Sequence, residues 1–243
     1  MFRCVALLGV LSATVPLSAL AQFQPPLRPV GAPTPLAHTS EAPAIRREKS
    51  GTAFFVDGSE HMLTARHAVE DCVRVVVAKE GRAAWARVVA LSPRFDIALI
   101  DIKRTWGLAA AFPRSVTVAA NDMVFAAAYD TLPGKVGRGG MMANSTVAPS
   151  MGSSEAGHLA IDSTVTFGAS GAPVLDGRGL VEGVVSRRTL INRVLAVGAA
   201  EAKAFLAANG VRVEEDDRPQ IAGSASRANR AASISAHVTC LQN

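Results

Sequence analysis

Three side chains that can together carry out acyl transfer occur in the order His67, Asp96 and Ser170. A serine hydroxyl can attack a carbonyl carbon when an imidazole takes its proton and a carboxylate orients that imidazole. The residues are separated by 29 and 74 positions (96 − 67 and 170 − 96), so only a folded chain can bring them together. Their types and order predict a catalytic serine.

Each of these residues also has a structural interpretation. A lone histidine is usually structural or exposed, and Asp96, which leads directly into an apolar run, could cap its own turn. Ser170 could lie in an ordinary glycine-rich turn. However, glycines at positions 168 and 171 permit a tight turn whose backbone N–H groups point to one side, as an oxyanion requires. The combination therefore favours catalysis.

The elements that must position these residues are short apolar runs, which follow Ser50 at intervals of about ten residues. Such spacing with turn residues between predicts an all-β sandwich or barrels. Ala199–Asn209, followed by Gly210, instead has the spacing of a short helix. The predicted domains are a first β-barrel over 47–115, a second over 116–198, a helix over 199–210 and a C-terminal tail over 211–243.

The N-terminus is typical of a secretory signal peptide over residues 1–21. Arg3 precedes an apolar run, and Ala19-Leu20-Ala21 fits the pattern for cleavage after Ala21. A membrane anchor is the alternative, but polar residues and Pro16 interrupt the run. Residues 22–46 hold six of the 13 prolines and are predicted to form an extended leader. We therefore expect a periplasmic or secreted protein.

Composition excludes several other classes. The net charge is +5 and the pI near 9.6, but no run of five cations occurs, so no nucleic-acid partner is expected. A chain that is 49% hydrophobic and 19% charged is not disordered over most of its length. Three widely spaced cysteines exclude a multi-cysteine zinc site, and His61 and His67 have no third ligand nearby. We predict no metal and no cofactor.

Four segments resemble the chymotrypsin/trypsin clan of serine peptidases: Ser50–Val56, Leu63–Val69, Asp96–Leu99 and Gly168–Pro173. The likeness is closest to bacterial exported trypsin-like peptidases, including the HtrA type, and covers about residues 47–210. It implies two six-stranded Greek-key barrels with the active site in the cleft between them. It also implies that His67 is the general base, that Asp96 orients it and that Ser170 is the nucleophile. The N–H groups of Gly168 and Ser170 would form the oxyanion hole.

The chain departs from this family in two places. Ala172 stands where the family usually has glycine. HtrA-type proteins carry a peptide-binding PDZ domain after the barrels, but 33 residues follow Gly210 here (243 − 210), which is too few for one. We therefore expect an HtrA-type peptidase without a PDZ domain.

The resemblance places the substrate side-chain pocket at Thr164, Val185, Ser186, Arg187 and Val197. Thr164, six residues before Ser170, would form the floor, and threonine does not select lysine or arginine. Because Val197 would narrow the pocket, we expect small or medium apolar side chains. Arg187 and Arg188 could instead attract acidic side chains, or could form a solvated surface pair.

After export, Cys72 and Cys240 would be the two remaining cysteines in an oxidising compartment, which predicts a disulfide between them. The alternating segment Ile234–Cys240 would add as an edge strand to the first barrel, and the bond would tie the tail across the boundary between the barrels. Free thiols, or a dimer through Cys240, are the alternatives.

The sequence thus predicts an exported serine endopeptidase that hydrolyses polypeptide substrates through an acyl-enzyme. A catalytically silent, protease-like binding module is one alternative, and an esterase on the same fold is another. The intact His67, Asp96 and Ser170 argue against the binding module, because binding does not require all three. We expect no membrane span in the mature chain.

Overall fold

The computed structural model describes residues 47–115, 117–138, 143–149, 156–221 and 226–243; the predicted signal peptide and leader lie outside them. The strands are β1 (Glu48–Phe55), β2 (His61–Thr64), β3 (Arg74–Lys79), β4 (Arg82–Leu91), β5 (Ala98–Asp101), β6 (Ala111–Phe112), β7 (Met123–Val124), β8 (Ser145–Val147), β9 (His158–Ser163), β10 (Pro173–Leu175), β11 (Val181–Leu190), β12 (Arg193–Gly198), β13 (Glu214–Glu215) and β14 (Ser235–Leu241). The helices are α1 (Leu132–Gly137), α2 (Ala199–Ala208) and α3 (Arg227–Ile234), with 3-10 turns at Arg66–Ala68 and Tyr129–Thr131. In these ranges no helix has the length and apolar character needed to cross a lipid bilayer.

Six antiparallel strands close the first barrel in the order β1-β14-β3-β4-β5-β2. Neighbouring residues of β1 pack into different cores. Phe54 packs with residues of the second barrel, whereas Phe55 packs inside the first barrel. A strand that is buried on both faces needs apolar residues at every position. This explains why the run Ala53–Val56 does not alternate with polar residues.

The second barrel is a six-stranded sheet in the order β10-β11-β12-β9-β8-β7. Its two end strands are joined by a backbone pair between Phe125 and Leu175, with N–H···O=C distances of 2.9 and 2.8 Å. Val124, Ile161 and Val174 pack in its interior. The predicted fold of two six-stranded barrels is therefore confirmed, and α2 begins where the helix was expected.

The last residues of the chain are part of the first barrel. β14 lies between β1 and β3, with Val238 opposite both Gly51 and Val77. The buried Lys79 of β3 donates to the carbonyl oxygen of Ser235 at 2.9 Å, which fixes the junction between α3 and β14. The structure thus differs from the sequence-based boundary, which assigned residues 211–243 to a tail with at most an edge strand. The alternation of Ile234–Cys240 indicated a strand, but pairing with both β1 and β3, far away in the chain, leaves no local signal.

Cys72 and Cys240 form a disulfide, with their Cα atoms 5.4 Å apart. Cys240 lies on β14 opposite Val75 of β3, and Cys72 lies shortly before β3. The sequence had suggested that the bond would cross the boundary between the barrels; it is instead contained in the first barrel. It spans 168 residues, so it fastens the closing strand of the barrel to the segment that follows His67.

The double variant Cys72→Ser/Cys240→Ser is expected to lower the free energy of unfolding by about 2–4 kcal/mol, with about 5 kcal/mol as the upper bound for a loop of this length. The reason is that the bond restricts the unfolded chain more than the folded one. Denaturant unfolding of the oxidised protein and of the variant measures the difference. Equal unfolding midpoints, or two alkylatable thiols in the oxidised protein, would contradict this prediction.

Candidate active site

The two barrels bring Asp96, His67 and Ser170 into one hydrogen-bonded line. His67 lies in the 3-10 turn after β2, and Asp96 precedes β5, which pairs with β2. The backbone N–H of His67 donates to Asp96 Oδ1 at 3.0 Å, and His67 Nδ1 lies 2.7 Å from Asp96 Oδ2. On the other side of the ring, His67 Nε2 lies 2.9 Å from the Oγ of Ser170. A neutral ring that donates from Nδ1 to the carboxylate can accept the serine proton at Nε2.

Asp96 is held as a carboxylate by three donors. Besides the two contacts from His67, Ser186 Oγ donates to Asp96 Oδ2 at 2.6 Å. Burial raises the pKa of Asp96, but the hydrogen bonds from His67 and Ser186 outweigh burial and hold this pKa below its ordinary value. Asp96 is therefore ionised at neutral pH and can orient an imidazole.

The pKa of His67 is shifted in the opposite direction, above its ordinary value. Its hydrogen bond to Asp96 raises the pKa of His67 above the ordinary value and more than offsets the lowering by burial. A raised pKa makes the imidazole a stronger base, which suits a group that must take a proton from a hydroxyl. It also means that this base is lost when the pH falls through the raised pKa.

Ser170 lies in two consecutive tight turns that depend on glycine. Gly168 and Gly171 both have φ of +84°, which other residues rarely adopt. The turns are closed by hydrogen bonds from Ala169 N–H to Thr166 O at 3.3 Å and from Ala172 N–H to Ala169 O at 2.9 Å. A Cβ at Gly171 would overlap the carbonyl oxygen of Thr52. The predicted glycine-rich turn is thus required by both conformation and close packing.

The backbone N–H groups of Gly168 and Ser170 are among those of this loop that have no protein acceptor in the described part of the chain. Thr52 fixes the carbonyls beside them, since its N–H donates to Ser170 O at 2.8 Å and its hydroxyl to Gly168 O at 2.7 Å. The loop therefore presents two donors next to the Ser170 hydroxyl, as oxyanion stabilisation requires.

The departure at Ala172 does not disturb this loop. Ala172 is fully buried, and it is absent from the described residues that have a positive φ. Its carbonyl accepts from the Val185 N–H at 2.9 Å. An alanine is compatible with the ordinary backbone conformation found here.

A pocket of about 370 Å³ opens beside Ser170 and His67. Val165, Val185 and Val194 are buried in its walls, and Phe167 is fully exposed at its edge. Ser186 and the exposed Arg187 and Arg188 line it from β11. Of the predicted pocket residues, Val185, Ser186 and Arg187 are therefore in place.

Thr164 and Val197 do not line this pocket. Thr164 is exposed, and its neighbour Val165 is buried in the pocket wall instead. Val197 packs in the core shared by the barrels, whereas Val194, three positions earlier on β12, lies on the pocket face. Residues an odd number apart on a strand point to opposite faces, so a small error in register selects the wrong residues.

The structure adds contacts that the sequence did not indicate. Ser186 contacts Asp96 across 90 positions of the chain, although it was predicted as a pocket residue alone. Ser50 also lines the pocket, and its Oγ lies 3.5 Å from Nε2 of His237. His237 Nδ1 in turn lies 2.9 Å from Asp130. None of these pairings has a local sequence signal.

His61 and His67 have separate partners. His61 Nδ1 pairs with Asp57 four residues earlier, and His67 pairs with Asp96. Over the described ranges, no group of three or more His, Cys, Asp and Glu side chains is arranged to hold a metal ion.

Comparison with known proteins identifies the family. Residues 51–184 match the trypsin-like peptidase domain, and the chain belongs to this family. The uncharacterized protein y4bJ of Sinorhizobium fredii is 26% identical over 237 residues, which cover 91% of this chain and 37% of that protein. The chain thus spans little more than a third of the length of this curated relative.

Solved structures show the same fold. A serine endoprotease from Yersinia pestis is similar with a TM-score of 0.55 and 19% identity, over 65% of this chain and 57% of that one. The HtrA-type protease AlgW, solved with a tripeptide, is similar with a TM-score of 0.55 and 17% identity, over 65% of this chain and 55% of that one. The resemblance to trypsin-clan peptidases that the four sequence segments indicated is confirmed.

Proposed function

We propose that the chain is an exported serine endopeptidase that cleaves polypeptides through an acyl-enzyme. The observation that carries the proposal is the unbroken line from Asp96 through His67 to Ser170, at 2.7 and 2.9 Å. Membership of the trypsin-like peptidase family supports it. In this proposal Ser170 is the nucleophile, His67 the general base, and Asp96 the group that orients it.

The reaction follows from these contacts. Ser170 Oγ attacks the carbonyl carbon of the scissile bond while His67 Nε2 takes the hydroxyl proton. The carbonyl oxygen becomes an oxyanion, which the N–H groups of Gly168 and Ser170 stabilise. His67 then gives its proton to the leaving amine as the carbon–nitrogen bond breaks. Water repeats the sequence on the acyl-enzyme, with His67 again as base, and releases the acid and Ser170.

Two observations favour turnover over a silent binding role. Asp96 receives three hydrogen bonds that orient it toward His67, and a binding module has no use for them. The unused N–H groups of Gly168 and Ser170 are likewise what a tetrahedral oxyanion needs. An esterase on the same fold would use the same groups, so the choice between amide and ester requires a rate comparison.

Two features support the proposed export to an oxidising location, either the periplasm or the medium. The apolar N-terminal segment that ends at Ala21 is typical of a signal peptide. The disulfide between Cys72 and Cys240 is of the kind that persists outside the cytoplasm.

The proposed function is tested with a fluorophosphonate probe, which labels serines activated by a neighbouring base. We expect stoichiometric labelling of the wild-type protein and none of Ser170→Ala. Ser59→Ala, in an exposed turn, is the matched control and should be labelled as the wild type is. Absence of labelling in the wild type would refute turnover, and a faster rate on ester than on every matched peptide would favour the esterase.

A further inference from the structure

The lining of the pocket beside Ser170 includes two arginines, Arg187 and Arg188, and no acidic residue. In the described part of the chain neither arginine has an aspartate or glutamate partner. By contrast, Arg193 on the same hairpin pairs with Asp162 at 3.1 Å. Two arginines without an acidic partner therefore lie at the place where a substrate would be cut.

The side chain of Arg188 contacts the segment on the other side of the pocket. Its Nη2 donates to the carbonyl oxygen of Val165, which precedes the Gly168 turn. The guanidinium thus bridges β11 and the segment that leads to Ser170. A guanidinium has five N–H donors, and no acceptor for the others is present among the residues described. Those donors are available to a ligand in the pocket.

The rest of the pocket can accept the methylene groups of an acidic side chain. Val165, Val185 and Val194 offer apolar contact to methylene groups, and the volume of about 370 Å³ accommodates a side chain of this length. At the end of the methylene chain a carboxylate can accept two parallel hydrogen bonds from a guanidinium. A lysine or arginine side chain would instead meet a like charge.

We propose that this peptidase cleaves after aspartate or glutamate, and that Arg188 is the residue that determines this specificity. The proposal rests on the proposed function, because the pocket receives the residue before the scissile bond only if Ser170 is the nucleophile. Arg187 adds to the positive potential without a contact across the pocket. The apolar preference expected from Thr164 and Val197 loses its basis, since neither lines the pocket.

The first test compares kcat/KM for peptides that differ only in glutamate or glutamine before the scissile bond. The two side chains have the same shape and differ in charge. We expect the glutamate peptide to be favoured about 10- to 100-fold, as hydrogen bonds to a charged group imply, and the preference to shrink at high salt. Arg188→Gln should bring the ratio to about one, whereas Arg82→Gln, in the β3–β4 hairpin, should retain it.

A second measurement separates specificity from turnover. The same two peptides are titrated into Ser170→Ala, and their Kd values should differ in the same direction and by a similar factor. Equal Kd values for the two peptides would overturn the proposed specificity. An Arg188→Gln variant with an unchanged ratio of kcat/KM values would show that Arg188 does not determine it. A wild-type protein without fluorophosphonate labelling would refute the proposed function instead, and the Kd comparison would then test only whether the pocket prefers an acidic side chain.

Discussion

Ser170→Ala is expected to lower the rate of peptide hydrolysis by about 10⁵- to 10⁶-fold, the loss that follows removal of a triad nucleophile. The variant loses the hydroxyl that His67 Nε2 contacts at 2.9 Å, while the N–H groups of the loop remain. Folding should be almost unchanged, because Ser170 is only partly buried and its hydroxyl has no other partner among the described residues. A fluorogenic peptide assay and thermal unfolding measure the two effects.

A second serine makes this experiment decisive. Ser50 lines the same pocket and contacts a different histidine, His237. Near-normal hydrolysis by Ser170→Ala would refute the assignment of the nucleophile. If Ser50→Ala then abolished hydrolysis, the nucleophile would be Ser50.

Asp96→Asn is expected to lower kcat by about 10⁴-fold. The asparagine amide can donate to His67 Nδ1, which places the ring proton on Nε2 and leaves no base facing Ser170. Steady-state kinetics measures the loss. Ser186→Ala is the comparison, because it removes one hydrogen bond to Asp96 at 2.6 Å and leaves the charge, so its effect should be far smaller. Equal losses in the two variants would contradict an orienting role for the carboxylate.

The dependence of kcat/KM on pH provides an independent test of the interaction between Asp96 and His67. Asp96 raises the pKa of His67, and catalysis needs the neutral imidazole, so kcat/KM of the wild type should fall as the pH drops through this raised pKa. Replacing the carboxylate by an amide removes the main cause of the shift. The acid limb of Asp96→Asn should therefore move to lower pH. An acid limb that does not move would show that another group controls it.

The candidate catalytic residues could be predicted from the sequence because each lies in a short segment whose composition reflects a local requirement. Gly168 and Gly171 are needed for backbone conformations with positive φ, and the apolar residues after Asp96 form a strand buried on both faces. Such requirements involve few neighbours along the chain. The order of the segments, combined with the all-β pattern, was then enough to indicate the two barrels.

The substrate pocket and the closing of the first barrel depended on tertiary structure. Val165 and Val194 line the pocket in place of Thr164 and Val197. On β12 the reason is that residues an odd number of positions apart point to opposite faces of the strand. Arg188 reaches the Val165 carbonyl, and Ser186 reaches Asp96, through contacts between segments far apart in sequence.

The sequence by itself thus determined which side chains are candidates for the proposed chemistry, since the candidate nucleophile, base and carboxylate are residue types in local motifs. Tertiary structure alone decided which side chains line the pocket and that β14 lies between β1 and β3. The physical reason is that strand register and long-range pairing are set by the packing of whole barrels, which no short segment specifies.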